Sequence, residues 1–203
     1  MRKVALYPRL IIDKLFTVFW TQYTYWQFLL TGTKLPKGLK VKGKMDLIAT
    51  GRIVLGDNIT ILNNSHYNHA GINHPTQLIA NKDSLLKIGD NVGISGASIY
   101  CSTSITIGNY VNIGANAAIY DTDFHPLDYL ARRKYKPPEC APVILEDDVW
   151  LGKNVIVLKG TRIGARTVIA AGSIVTSNIP PDSLAAGIPA KVIKTLKNDF
   201  HHG

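Results

Sequence analysis

Large aliphatic residues recur every six positions towards the C-terminal end of this chain, at Leu145, Leu151, Val157, Ile163, Ile169 and Val175. Small residues follow several of them at once, Gly152, Gly164 and Ala170 among them. A period of six fits neither the 3.6 of a helix nor the 2 of a simple strand. It is the period of a hexapeptide parallel β-helix, in which each hexapeptide forms one short side of a triangular coil. The pattern appears earlier as Ile88, Ile94 and Tyr100, then after a seven-residue step as Ile107, Ile113 and Ile119. A weaker copy begins at Leu55 and continues through Gly56, Asp57, Asn58 and Ile59. Together these predict roughly four to five coils of about eighteen residues. The aliphatic residue of each hexapeptide points into the prism and stacks on its counterpart one coil away. The small residue after it takes a tight corner, where a Cβ would clash or a positive φ is needed. Asp57-Asn58, Asp90-Asn91 and Asn109 suit such corners, because their side chains bond nearby backbone and tolerate the left-handed region.

Two segments break the period. Residues 62–83 are rich in Asn and His, with Asn64, His66, His69 and His74. Residues 125–142 carry His125, Arg132, Arg133 and Pro137-Pro138. Loops that interrupt a solenoid gather on one face and carry function. The first thirty residues differ again. Leu10 to Leu30 is aromatic and aliphatic but holds Asp13 and Lys14, too polar for a comfortable membrane span. The segment predicts an amphipathic helix that packs on the prism or on a neighbouring subunit. Its aromatics beside Arg2, Lys3, Arg9 and Lys14 leave peripheral membrane contact through residues 1–30 as the alternative. The expected organisation is therefore a helix and basic turn over 1–35, a β-helix over 36–196 and a tail over 197–203, all-β apart from the helix.

Bulk composition changes little in this picture. Two cysteines, Cys101 and Cys140, imply no disulfide framework, and a reducing compartment is the default. The expected location is cytoplasmic, or the inner face of the membrane if the helix engages lipid. The net charge of +9 comes from scattered Lys and Arg with no nucleic-acid recognition motif. It suits an anionic ligand or an anionic surface better than nucleic acid.

The segments Asp121 to Pro126, Val149-Trp150-Leu151-Gly152, Ile169 to Thr176 and Ala186 to Lys191 resemble the hexapeptide-repeat O-acetyltransferases, which act on galactosides, maltose and the sugars of capsule and lipopolysaccharide. The resemblance covers about residues 50–196. It implies a left-handed β-helix, a homotrimer, and acetyl-CoA as acyl donor in a groove between subunits, with no metal required. The hand comes from the resemblance, since parallel crossovers are ordinarily right-handed. The implied acceptor is a sugar, nucleotide sugar or glycan.

The resemblance also implies residue roles. His125 matches the general base, with Asp121 or Asp123, or a backbone carbonyl, fixing its second nitrogen. Trp150, Lys153, Ala171, Thr176, Ser177, Lys191 and Lys194 fall on acetyl-CoA positions. The family has a serine at the position of Lys153, and the galactoside enzymes have arginines where Lys191 and Lys194 stand. Lysines meet phosphate as point charges, without the bidentate fork of arginine. On the acceptor side, the galactoside enzymes carry an asparagine near Ser95 and an acidic residue at Ser102. Both are absent here, so a different acceptor is expected. Asn64, His66 and Arg132 are the remaining candidates for acceptor recognition.

Three alternatives stand beside this reading. N-acetylation of an amino sugar would use the same base. A γ-type zinc carbonic anhydrase is suggested by the spacing of His69 and His74. A non-catalytic β-helix scaffold would have no use for a histidine in the Asp121–Pro126 segment.

Overall fold

A computed structural model describes residues 6–196. Helix α1 runs from Leu6 to Thr31. It is followed by a prism of three sheets in which, up to the C-terminal hairpin, every third strand pairs in parallel with the strand one coil away. The first sheet contains Lys40–Lys42, Thr60–Leu62, Gly93–Ser95, Asn112–Ile113, Trp150–Leu151, Val168–Ile169, Ser183–Gly187 and Ala190–Thr195. The second contains Asp46–Ala49, Gln77–Ala80, Ser98–Cys101, Ala118–Tyr120, Ile156–Val157 and Ile174–Val175. The third contains Arg52–Leu55, Leu85–Ile88, Ser104–Ile107, Val143–Leu145 and Arg162–Ile163.

Three columns of apolar side chains fill the prism. Val41, Ile61, Ile94, Ile113, Leu151, Ile169 and Ala185 lie in register along the first sheet. Leu47, Leu78, Ile99, Ile119, Val157 and Val175 do so along the second. Leu55, Ile88, Ile107, Leu145 and Ile163 do so along the third. All but Leu55 are buried. At about 1.5–3 kcal/mol for each fully buried aliphatic side chain, these columns are the main favourable term of the fold.

The expectation for Tyr100 is corrected. Ile99 occupies the interior column and Tyr100 faces outwards. Four-residue strands such as Gln77–Ala80, Leu85–Ile88, Ser98–Cys101 and Ser104–Ile107 bury two side chains each, as Ile99 and Cys101 do, so those coils are longer than the strict repeat. The apparent seven-residue step follows from this. The first strand of the prism is Lys40–Lys42, inside the expected 36–196 span.

A Cβ on Gly152 would stand 2.6 Å from the amide nitrogen of Ala171, so glycine is needed there for close approach of successive coils. Four asparagines, Asn58, Asn91, Asn116 and Asn154, take positive φ at 58–59°, as their side chains tolerate.

Both irregular segments are real excursions, with shifted limits. The 62–83 segment is shorter than expected, since Gln77–Ala80 is a strand of the second sheet. The other excursion begins at Asp121, ends at the strand Val143–Leu145 and contains a short helix α2, Tyr129–Arg133. The C-terminal end is an antiparallel hairpin, Ser183–Gly187 with Ala190–Thr195, which the six-residue pattern did not predict. Helix α1 lies against the strands Lys40–Lys42 and Asp46–Ala49 and buries Thr24 and Phe28 there. The tail over 197–203, and Arg2 and Lys3, lie outside the described residues.

Candidate functional site

The excursion that carries His125 leaves the prism at the corner between the second and third sheets. Asp121 starts it. Its carboxylate is fully buried and accepts from the backbone amides of Ser102, Thr103 and Ser104 at 2.7–2.8 Å, and from the Thr103 hydroxyl at 3.0 Å. Cys101 Sγ lies against the same carboxylate, at 3.6 Å. Burial, followed by the Asp121 charge, pushes the Cys101 thiol up to about 11. Asp121 is thus committed to the turn one coil away, so one of the three candidates for orienting His125 is spent elsewhere. Asp123 points to Lys159, at 3.4 Å, and Lys159 also holds Glu139 at 3.0 Å. That hydrogen bond to Glu139, with the charge of Asp123, raises the Lys159 pKa. What Asp123 gives His125 is its backbone carbonyl, which accepts from the His125 amide at 2.7 Å.

The turn is braced from two further directions. Phe124, at φ 62°, packs its ring on Tyr100 at 4.8 Å and on Tyr120 at 5.2 Å. Arg132 donates from Nη1 to the carbonyl oxygens of Pro126 at 2.8 Å and Leu127 at 2.6 Å. Arg132, expected to meet the acceptor, therefore holds the loop behind the histidine. His125 itself is exposed and lines an open groove of about 520 Å³ with Arg132, Tyr135, Lys136 and Pro137. An exposed imidazole on a fixed turn beside a groove can take a proton from a bound hydroxyl or amine. The two limbs of the excursion are joined by a bridge between Thr122 and Cys140.

The remaining residues divide between two edges of the second sheet. Ser102, Thr176 and Ser177 lie at the corner with the third sheet, on the side of His125. Ser102 receives a hydrogen bond from Asn81 at 3.3 Å. Asn64, His66, Ser95, Lys153 and Ala171 lie at the opposite corner, with the first sheet. There the Asn-rich excursion folds down on the coils. Asn68 donates to Ser95 Oγ at 2.9 Å, Lys153 Nζ to the carbonyl of Ala70, and Asn116 to the carbonyl of Gly71 at 3.0 Å. Asn64 Oδ1 accepts from the His66 amide and so shapes the loop itself. Trp150 stands out from the first sheet, 54% exposed, between Asn112 and Val168. Lys191 and Lys194 are exposed on the last strand of that sheet. One chain therefore separates His125 from Lys153, Ala171 and Trp150 by the width of the second sheet. His74 Nδ1 lies 3.0 Å from the Pro75 carbonyl, and no cluster of three or more metal-ligating side chains occurs among the described residues.

Sequence reasoning missed the bracing residues Phe124, Tyr100, Tyr120 and Lys159. The first three sit on alternate outward positions or in the loop, where an aromatic carries no period. Lys159 is remote from Asp123 along the chain and has no local signal.

Residues 142–177 match the family described as the bacterial transferase hexapeptide, six repeats. Among solved structures, the chain is similar to a hexapeptide-repeat-containing acetyltransferase of Vibrio cholerae, with 28% identity and TM-score 0.58 over 88% of this chain and 82% of that one. The same Vibrio cholerae protein has been solved with acetyl-coenzyme A. A galactoside acetyltransferase solved with coenzyme A is 29% identical, with TM-score 0.56 over 71% of this chain and 70% of that one. A Schizosaccharomyces pombe protein bearing an inferred acetyltransferase name is 46% identical over 95 residues, 47% of this chain. The tetrahydropyridine-2,6-dicarboxylate N-acetyltransferase of Staphylococcus aureus is 40% identical over 89 residues, 44% of this chain. The matched stretches span 45% and 32% of those two relatives, half their length or less.

Proposed function

We propose that this chain transfers the acetyl group of acetyl-CoA to a hydroxyl of a sugar, nucleotide sugar or glycan, with His125 as general base. The observation that carries the reading is the presentation of His125. The imidazole is exposed at the rim of a groove, while Arg132, Lys159 and the Phe124 ring immobilise the turn beneath it. Such effort spent on one exposed histidine suits a group that must meet a substrate in a set position. In the reaction the acceptor oxygen attacks the thioester carbon as the imidazole takes its proton. The C–O bond forms, the tetrahedral oxyanion collapses, and the C–S bond breaks. The imidazolium returns its proton to the departing coenzyme thiolate.

Acetyl-CoA would lie along the edge formed by Lys153 and Ala171, with Trp150 as a wall, Thr176 and Ser177 at the far corner, and Lys191 and Lys194 towards its phosphates. No single chain joins that edge to His125. A second copy would close the gap, and the second sheet between the two edges offers Ile48, Ile79, Ile156 and Ile174 outwards. A left-handed homotrimer accounts for both facts. Ser95 and Ser102 belong to opposite sides of the acceptor space in this arrangement.

The similarity to the Staphylococcus aureus N-acetyltransferase supports transfer to nitrogen, and with a sugar acceptor the second reading is N-acetylation of an amino sugar. One experiment tests both. Release of coenzyme thiol from acetyl-CoA is followed across paired hydroxyl and amino sugars, with His125→Asn as control, and the product is treated with hydroxylamine. An ester is cleaved and an amide survives. Turnover that His125→Asn leaves intact would overturn either reading.

A further inference from the structure

Helix α1 turns its buried face, Thr24 and Phe28, towards the prism. At 100° per residue, Leu15, Val18, Phe19, Trp26, Leu29 and Leu30 fall within one stripe on the opposite side. Each is between 57% and 82% exposed. The stripe extends over about 24 Å of helix. This is far more apolar surface than isolated exposed residues account for, and such a patch marks a contact. Beyond the helix the chain carries Lys34, Lys37, Lys40, Lys42 and Lys44, all exposed, with no acidic residue before Asp46. Tyr25 borders the stripe and shares a groove of about 420 Å³ with Leu35, Lys40 and Lys42. Tyr25, at the border of the apolar stripe, thus stands across one groove from Lys40 and Lys42.

We infer that α1 and the lysine row dock this protein flat on an anionic phospholipid surface. Charge decides the occupant. An apolar stripe with aromatic residues and a lysine flank is complementary to acyl chains below a phosphate plane. A second copy seated face to face would set one lysine row against another, in a chain that already carries net charge +9. No described helix is long and apolar enough to cross a membrane, so the contact lies in the interface plane. The inference stands independently of acyl transfer, and its test reads lipid binding rather than turnover.

The full chain is floated with vesicles of phosphatidylglycerol in phosphatidylcholine, and with phosphatidylcholine alone. Two variants accompany it: Phe19→Ser with Trp26→Ser and Leu30→Ser, and Lys34→Glu with Lys37→Glu and Lys40→Glu. Sedimentation velocity and thermal melting are recorded for each. The expected result is co-flotation with the anionic vesicles, weaker by about tenfold or more on the neutral ones and in high salt, and lost in both variants. Should the serine variant melt early, the charge-reversed variant alone decides. Absence of flotation overturns the proposal, as does flotation that the charge reversal leaves unchanged. A change in oligomer size in the serine variant, with no lipid binding by the parent, would assign the stripe to a second copy and overturn it too.

Discussion

Arg132 Nη1 stands 2.8 Å from the carbonyl oxygen of Pro126, the residue that follows His125. A guanidinium with a donor spent on backbone carbonyls fixes the loop's path, so its removal should displace the imidazole without removing it. Arg132→Ala is expected to lower kcat by up to about 10²-fold, the scale on which a misplacement of one ångström acts. The KM for acetyl-CoA should change little, and Arg132→Lys should recover part of the loss. Steady-state thiol release with both variants checks this. A raised acceptor KM at constant kcat would return Arg132 to acceptor binding.

His125→Ala should cost roughly 10²–10⁴-fold in kcat, the usual contribution of a general base. Acetyl-CoA affinity, measured by calorimetry, should stay within about twofold, since the base acts on the acceptor.

Asp121 predicts a stability effect of a different kind. Asp121→Asn puts a donor among the amides of Ser102, Thr103 and Ser104, where only acceptors serve. Hydrogen bonds to a charged group contribute about 1.5–3 kcal/mol each, so a loss of ~3 kcal/mol or more in denaturant unfolding is expected. A variant as stable as the parent would show that the carboxylate is dispensable.

The Cys101 thiol sets a pH window. Its folded pKa is about 11 and an unfolded cysteine titrates near about 8.5. Between these values the unfolded chain releases a proton that the folded chain keeps, so this contribution is complete below about pH 8.5 and falls as pH rises. The melting temperature of the parent should therefore decline more steeply from pH 8.5 upwards than that of Cys101→Ala. Cys101 should also resist alkylation in the folded protein at pH 8.

Lys191→Ala should weaken coenzyme A by about 1–2 kcal/mol, more than it weakens dephospho-coenzyme A, and the difference should shrink in salt. Titration of both ligands at two ionic strengths checks it. Equal losses would place Lys191 away from the 3′-phosphate.

The six-residue period determined the prism by itself. Leu151, Val157, Ile163 and Ile169 each face inwards because a three-sided coil returns the same direction every six residues. The same reasoning failed at Tyr100, where a longer coil lets Ile99 take the interior and the period carries no warning of it. The Asp121–Pro126 segment was legible as a chemical site because its residues are contiguous. Its bracing was not. Lys159 reaches Asp123, Asp121 reaches the amides at 102–104, and Phe124 reaches Tyr100 only because successive coils stack side by side. Side-chain roles at a corner depend on what the neighbouring coil presents, and that distance is invisible along the chain. Thus sequence named Asp121 and Arg132 as actors, and tertiary structure made one an anchor for the next turn and the other a strut behind His125. Helix α1 shows the same division. Its apolar character is in the sequence, but only packing decided that Thr24 and Phe28 meet the prism while Phe19, Trp26 and Leu30 are left facing out. A helix has room for one face against a prism end, and this one carries more apolar surface than that face can bury.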